Sequence, residues 1–180
     1  RDAVHGEEMG DTGWGPRRWV IDPIDGTKNF VRGVPVWGTL IALMINDQPA
    51  VGVVSAPALG RRWWAVRGEG AFGDGRPLRV SAVARLADAV LTYTNASDFF
   101  RRGLGDAFEQ LAGTAWTPRG YGDFWQYVLL AEGAVDVAVE PVAAVWDLAA
   151  PKLIVEEAGG HVTDFSGTET AAGGSCVASN

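Results

Sequence analysis

The chain has 180 residues, of which 47% are hydrophobic and 10% aromatic, a composition that predicts a globular domain with a sizeable core and excludes a disordered chain. Its 22 acidic and 15 basic side chains give a net charge of −7, which disfavours nucleic acid as a partner and points to a small molecule. No apolar run is long enough to span a membrane and no signal-peptide pattern opens the sequence, so a cytoplasmic protein without a membrane partner is predicted.

The first predicted element is an apolar strand that ends in Asp22-Pro-Ile-Asp-Gly-Thr27. Proline fixes its own φ and disfavours the helical region for the residue before it, so the chain turns here and both carboxylates face one side. Two converging carboxylates repel each other unless a cation lies between them, and a hard divalent ion such as Mg²⁺ suits their oxygens. The alternative is an Asp-Pro surface turn followed by an Asp-Gly helix cap, but the complete string favours the cation site.

A short helix is predicted over residues 27–31, directly after this acidic turn. The first N–H groups of a helix lack acceptors within it and suit a phosphate oxygen. Gly26 and Thr27 are therefore candidates for holding a phosphate.

Three apolar runs follow, at residues 37–45, 50–55 and 62–67, and predict an antiparallel meander. The glycine-rich stretch over 68–75 is predicted to be a loop, with a tight turn at Asp74-Gly75. Such a loop can also hold phosphate, but no helix follows it, so a simple turn is the favoured interpretation.

The second half alternates between the two kinds of element. Strands are predicted over 91–94, 135–139 and 161–163, and helices over 105–111, 124–132 and 148–158. This alternation predicts a mixed sheet covered by helices. No linker divides the chain, so residues 1–180 are predicted to form one domain.

A second acidic position, Asp147, lies just ahead of the last predicted helix. Alone it would be interpreted as a helix N-cap. Pro151 falls in the first turns of this helix, where a proline is tolerated only close to the start, so the local geometry of Asp147 is less well defined by the sequence.

Histidine and cysteine chemistry has little material here, because the chain contains two histidines, His5 and His161, and one cysteine, Cys176. An internal disulfide is therefore excluded, and a zinc site or a Ser-His-Asp triad is disfavoured. Cys176 is interpreted as a small buried residue rather than a nucleophile. Carboxylate chemistry remains.

Three motifs follow one another along the chain: Gly6-Glu-Glu8, then Asp22-Pro-Ile-Asp-Gly-Thr27, then Trp146-Asp147 with a helix ending Glu157-Ala-Gly-Gly160. In these motifs and their order, the chain resembles the inositol monophosphatase superfamily. The resemblance implies a layered α-β-α-β-α sandwich of the inositol monophosphatase and fructose-1,6-bisphosphatase type. It also implies two helices before Arg1 and a closing helix after Asn180, so the 180 residues are expected to be a fragment of one catalytic domain. Dimers are common in the family, which suggests a homodimer.

The resemblance also implies the roles of the acidic residues. Two or three Mg²⁺ ions would be held by Glu7, Asp22, Asp25, Asp147 and the carbonyl of Ile24. Asp25 and the amides of Gly26 and Thr27 would bind the phosphate, while Glu7 and Thr27 would orient and deprotonate the attacking water. No covalent intermediate is needed in such a reaction, so the shortage of histidine and cysteine is no obstacle.

Within the superfamily, residues 25–37, 55–64 and 122–124 are most similar to the actinobacterial histidinol-phosphate phosphatases, which serve histidine biosynthesis. Histidinol phosphate carries an ammonium group and an imidazole that an inositol ring lacks, and Asp123 and Glu140 are the candidate acids that would contact them. Alternatively, Asp123 caps the following helix and Glu140 is a solvated strand end. The competing functions are an inositol-1-phosphate or broad sugar-phosphate phosphatase and, from a different class, a non-catalytic metal-binding or regulatory member of the fold.

Overall fold

The computed structural model describes residues 2–8 and 10–180. The strands of the first sheet are β1 (Ala3–Gly6), β2 (Gly10–Thr12), β3 (Arg17–Asp25), β4 (Gly38–Ile45), β5 (Gln48–Ala56), β6 (Arg61–Val66), β7 (Gly70–Gly73) and β8 (Arg76–Pro77). The strands of the second sheet are β9 (Val90–Tyr93), β10 (Thr117–Arg119), β11 (Val137–Glu140), β12 (His161–Thr163) and β13 (Cys176–Ser179). The α-helices are α1 (Thr27–Arg32), α2 (Ala96–Arg101), α3 (Gly105–Thr114), α4 (Asp123–Ala131) and α5 (Val145–Glu157).

The first sheet has the strand order β2-β1-β3-β4-β5-β6-β7-β8, and β3 to β8 form an antiparallel meander, of which the part from β4 to β6 was predicted. The second sheet has the order β10-β9-β11-β13-β12. Its strands β10, β9 and β11 are parallel, whereas β13 runs antiparallel to both of its neighbours.

Helices separate and cover the two sheets. The pair α4 and α5 lies between them, because α5 contacts β4 and β5 of the first sheet while α4 contacts β11 and β13 of the second. Helices α2 and α3 pack on the opposite face of the second sheet, around Leu91, Phe99 and Phe108. The predicted α/β sandwich is confirmed, with its main core in the layer of α4 and α5.

A row of small residues brings α5 close to the first sheet. Ala42, Gly52, Ala65 and Ala71 are cross-strand neighbours on β4, β5, β6 and β7. A Cβ added at Gly52 would lie 2.9 Å from the carbonyl oxygen of Ala150 on α5, closer than packed atoms tolerate. The small side chains therefore set how deeply this helix is seated.

An irregularity in β3 directs two acids to the same face of the sheet. Asp22 pairs with Leu40 and Asp25 with Gly38, so β3 has one residue more than β4 over this interval. Successive residues of a regular strand face opposite sides, so positions three apart would lie on opposite faces. The extra residue cancels that alternation, and both Asp22 and Asp25 are buried. The strand continues through Pro23 to Asp25, whereas the sequence predicted that it would end in a turn at the proline.

Two further sequence predictions were wrong in detail. The loop predicted over residues 68–75 contains strand β7, although the tight turn at Asp74-Gly75 is present, with positive φ at both residues. Asp147 is not ahead of α5 but within its first turn, because the helix begins at Val145, and α5 continues through Pro151 to Glu157. Within the described residues, no helix is both long and apolar enough to cross a membrane.

Candidate metal and phosphate site

A cleft of about 240 Å³ opens at the end of β3, beside the first turns of α1, α4 and α5. It contains every residue that the sequence singled out for a site. Its lining residues are Glu7, Asp22, Ile24, Asp25, Gly26, Thr27, Lys28, Asp123, Tyr127, Glu140 and Asp147. The structure therefore brings together positions from three distant stretches of sequence, while their individual roles remain proposals.

Asp22, Asp25 and Asp147 form the centre of the cleft, with carboxylate oxygens that lie within 4.8 Å of one another. Each uses one oxygen to accept a backbone N–H. Asp22 Oδ1 accepts from Ile24 at 2.9 Å, Asp25 Oδ2 from Phe124 at 2.6 Å and Asp147 Oδ2 from Ala144 at 2.7 Å. The second oxygen of each has no N–H donor among residues 2–8 and 10–180, so the three acids present to the same space oxygens that no N–H group occupies.

Burial and mutual repulsion raise the pKa values of these three acids. Burial, reinforced by the negative charge of Glu7, raises the pKa of Asp22 to about 7. Burial likewise raises the pKa of Asp147 to about 6, and it raises the pKa of Asp25 well above the usual value for a carboxyl. Neighbouring carboxylates therefore add to the cost of burying these acids.

The donor set fits a hard divalent cation. Oxygen atoms of carboxylates and carbonyls are the ligands that Mg²⁺ and similar ions prefer, and buried charges in proteins are paired or coordinate a metal. The hydroxyl of Thr39 donates to the carbonyl of Pro23 at 2.8 Å, which fixes the backbone immediately before Ile24. The free oxygens of the three aspartates would be natural ligands, with Glu7 at the mouth of the cleft.

Glu7 directly follows β1 and is brought to the cleft by the pairing of this strand with β3. Its backbone N–H donates to the carbonyl of Ile21 at 3.3 Å, one residue before Asp22. Glu7 is exposed, and its charge acts on both Asp22 and Asp147. Its carboxylate can therefore approach both the acidic centre and solvent.

The turn at Gly26 and Thr27 forms the floor beside the acids. Gly26 has φ 78°, a left-handed conformation that favours glycine, and it directly precedes α1. The first hydrogen bond of this helix runs from the Phe30 N–H to the Gly26 carbonyl at 3.0 Å. The N–H groups of Gly26 and Thr27 therefore have no acceptor within the helix.

Asp123 lies against this turn in a strained backbone conformation. It has φ 47°, uncommon for a residue other than glycine, and its Oδ2 would lie 3.4 Å from a Cβ added at Gly26. Asn29 donates to Asp123 Oδ2 at 3.3 Å and to the carbonyl of Val36 at 2.9 Å. The alternative that Asp123 merely caps α4 is not observed, because Gly122 occupies the cap position and no side-chain capping bond is present in this described region.

Glu140 ends β11 and enters the cleft from the second sheet. It is buried, at 9% exposure, which contradicts the alternative of a solvated strand end. Its Oε2 accepts from the Tyr127 hydroxyl at 2.7 Å and from the Gln126 amide at 3.1 Å. Burial raises the pKa of Glu140 to about 7, although the hydrogen bonds from Tyr127 and Thr94 act in the opposite direction.

Two cleft residues carried no signal in the sequence analysis. Lys28 is the one basic side chain that lines the cleft among the described residues, and its charge opposes the rise that burial causes in the pKa of Asp123. Tyr127 is fully buried on α4 and is indistinguishable in sequence from a core position. Only the register of α4 against β11 shows that its hydroxyl faces Glu140.

The fold and the cleft together define a class of protein: a layered α/β sandwich with a carboxylate centre fit for divalent cations beside a backbone turn fit for an anion. Comparison with known proteins narrows this class. The family described as the inositol monophosphatase family matches residues 1–180. The chain therefore belongs to the inositol monophosphatase family.

Individual relatives agree with this membership. The chain is 54% identical over 190 residues to a histidinol-phosphatase of Streptomyces coelicolor, covering 100% of this chain and 71% of the relative. It is 56% identical over 185 residues to a histidinol-phosphatase of Mycobacterium tuberculosis, covering 99% and 71%. Among solved structures, an IMPase of Thermotoga maritima superposes with a TM-score of 0.88 at 38% identity, covering 99% of this chain and 69% of that one.

Proposed function

We propose that this chain forms the catalytic region of a Mg²⁺-dependent phosphate monoester hydrolase whose substrate is L-histidinol phosphate, releasing L-histidinol and phosphate. The observation that carries the proposal is the acidic centre, in which two buried aspartates and the half-buried Asp147 each direct an oxygen that lacks an N–H donor into one cleft. The choice of substrate is supported by the two relatives that are more than half identical to this chain.

We assign the metal ligands to Asp22, Asp25, Asp147, Glu7 and the carbonyl of Ile24, with two or three Mg²⁺ ions per site. When bound, such ions would supply Lewis-acid activation of water and neutralise charge on the transferred phosphoryl group. Their binding would also offset the burial, and after it the repulsion, that raise the pKa of Asp22 and Asp147.

The phosphate would be held at the turn that precedes α1. The N–H groups of Gly26 and Thr27 are oriented by the left-handed conformation of Gly26 and have no acceptor within the helix. Glu7 would accept the proton of the attacking water, and Thr27 would orient that water through its hydroxyl. Glu7 suits this role because it is exposed at the cleft and its charge is felt by both Asp22 and Asp147.

The leaving group would lie between Asp123 and Glu140. Both acids line the same cleft as the aspartates, and both are partly or fully removed from water. A carboxylate in such a position contributes on the order of 2 kcal/mol to binding an ammonium or imidazolium group. Inositol phosphate offers no positive charge to these acids, so the pair favours a cationic alcohol.

A side-by-side turnover assay tests this proposal. The full-length natural protein that contains this chain would be assayed with Mg²⁺ on L-histidinol phosphate and on inositol 1-phosphate. We expect kcat/KM to be at least about tenfold higher for histidinol phosphate, which corresponds to roughly 1.4 kcal/mol of discrimination. Equal efficiency, or a preference for inositol 1-phosphate, would reject the substrate assignment while leaving the phosphatase assignment in place.

A matched variant tests whether Glu140 contributes to the choice between the two substrates. Glu140→Gln keeps the shape of the side chain and removes its charge, so it should lower kcat/KM for histidinol phosphate by about tenfold and leave inositol 1-phosphate within about twofold.

If the natural protein released no phosphate from either ester in the presence of Mg²⁺, that result would instead support a non-catalytic member of the fold. A cytoplasmic homodimer remains our prediction for the assembled protein, and sedimentation equilibrium would test the dimer.

A further inference from the structure

The carboxylate of Glu140 is held by a fixed set of donors behind the cleft wall. Tyr127 and Gln126, adjacent on α4, both donate to its Oε2, at 2.7 and 3.1 Å. Gln126 also donates to the hydroxyl of Thr94 at 3.1 Å, which joins the first residue after β9 to the same network. Tyr127 is 2% exposed and Gln126 is 0% exposed, so neither donor can exchange Glu140 for water.

A buried carboxylate is an energetically unfavourable choice of hydrogen-bond acceptor for a buried tyrosine hydroxyl. A buried phenol hydroxyl needs one acceptor, and a backbone carbonyl or a neutral side chain would serve it without bringing a charge into the interior. Glu140 is nonetheless buried, with three chemically different groups, Tyr127, Gln126 and Thr94, arranged around it. The arrangement is therefore better explained by a requirement on Glu140 than by a requirement on Tyr127.

We infer that Tyr127 is a positioning residue that fixes the carboxylate of Glu140 toward the leaving group and so sets the preference for a positively charged alcohol. This inference rests on the proposed function, since it concerns the discrimination between phosphate esters by that same cleft. A glutamate side chain has several rotatable bonds, and holding it in one rotamer before the substrate binds removes an ordering cost from the binding step. Tyr127 suits this purpose because its ring belongs to the main core, beside α5 and β13.

The test uses Tyr127→Phe in the full-length protein, which removes one oxygen atom and keeps the ring. Because the hydrogen bond involves a charged group, we expect kcat/KM for histidinol phosphate to fall about tenfold, mainly through a higher KM. Inositol 1-phosphate, which presents no positive charge, should change by less than about twofold. Tyr93→Phe is the matched control, since Tyr93 packs edge-on against Phe108 in the smaller cluster on the far side of the second sheet, and it should leave both substrates unchanged.

A double-variant comparison distinguishes positioning from general damage. If Tyr127 acts through Glu140, then Tyr127→Phe combined with Glu140→Gln should lose no more than Glu140→Gln alone. Should Tyr127→Phe fold poorly, Gln126→Met removes the second donor and is expected to shift the ratio of the two substrates in the same direction, by about threefold.

The outcomes separate this inference from the proposed function. A wild-type protein without preference for histidinol phosphate would reject the substrate assignment on which this inference rests. A wild-type protein with that preference, whose Tyr127→Phe variant keeps the ratio or loses both substrates equally, would overturn only the positioning role. Additive losses in the double variant would do the same.

Discussion

Buried acids occur in two regions of this protein, and their hydrogen bonding differs. Asp136, just ahead of β11, is 4% exposed and uses both carboxylate oxygens: Oδ1 accepts from the Ser81 hydroxyl and Oδ2 from the Val90 N–H at 2.7 Å. In the cleft, Asp22, Asp25 and Asp147 each accept one backbone N–H and keep the other oxygen without such a donor in the described chain.

Burial alone therefore does not identify a functional acid. Asp136 joins β9 to β11 and the segment around Ser81, and both of its oxygens are engaged by donors of the protein itself. The cleft acids are held in place by one oxygen and are available through the other. The number of satisfied oxygens, rather than exposure, separates a structural carboxylate from a candidate metal ligand.

The largest expected effect comes from Asp22→Asn. The substitution keeps the size of the side chain but removes a negative charge from the proposed metal centre, so hydrolysis should fall on the order of a thousandfold with the fold intact. Turnover at saturating Mg²⁺ and the circular dichroism spectrum measure the two quantities. A variant that retained more than about a tenth of the activity would remove Asp22 from the mechanism.

Asp136→Asn should show the opposite pattern. An asparagine can offer its amide oxygen to only one of the two donors, the Val90 N–H or the Ser81 hydroxyl, and its NH₂ group then faces the other, so we expect a loss of about 2 kcal/mol in the free energy of unfolding. For a chain of this size, that loss lowers the melting temperature by roughly 4–8 °C. Activity below the melting transition should stay within about twofold of the natural protein. A thousandfold loss of activity there would abolish the distinction between the two regions.

The cleft acids also predict an unusual pH dependence for the metal-free protein. Folding raises the pKa of Asp22 and Glu140 to about 7 and that of Asp147 to about 6, whereas an unfolded carboxyl titrates near 4. The folded state therefore binds more protons than the unfolded state between about pH 4 and 7, and its stability decreases as the pH rises through that window.

In a chelating buffer, we expect the melting temperature to be several degrees lower at pH 8 than at pH 5.5. Mg²⁺ should raise it more at pH 8 than at pH 5.5, because deprotonated acids bind the ion. Differential scanning fluorimetry across this range gives both values. A metal-free melting temperature that rose steadily from pH 5.5 to pH 8 would show that the cluster does not dominate the titration.

The smallest effect is expected at the surface. Asp88 pairs with Arg85 at 2.7 Å, one helical turn away, with both side chains largely exposed to solvent. Asp88→Asn should change the free energy of unfolding by no more than about 0.5 kcal/mol and leave activity unchanged. This variant controls for the loss of one negative charge from a protein with a net charge of −7. A larger loss of stability would mean that overall charge contributes to the effects above.

The sequence carried enough information for the acidic turn and the main helices, and too little for the pairing of strands. The meander from β4 to β6 and helix α4 were predicted because long apolar runs and helical periodicity survive in the sequence. Strand β2 was missed because its residues are all exposed and polar or glycine, and β13 because it has four residues and pairs with the distant β11.

Site residues were predictable where they belong to a motif and not where only packing defines them. Asp22 and Asp25 are fixed by local chain chemistry, but the bulge that aligns them depends on the partner strand β4. The start of α5 was predicted too late, at Leu148, because the apolar periodicity begins there, whereas the helix begins at Val145 and contains Asp147. Tyr127 gave no signal, since a buried aromatic residue on a helix is ordinary until its hydroxyl is seen against Glu140.

The close approach of α5 to β5 at Gly52 links a strand that contributes no residue to the cleft with the candidate metal centre. Any side chain there would push against Ala150 and lift the helix whose first turn carries Asp147. A larger side chain at this position is therefore expected to weaken cation affinity as well as the packing of the main core. Because glycine has no side chain, Gly52 allows α5 to approach β5 closely, and this approach helps to set the distance between Asp147 and Asp22.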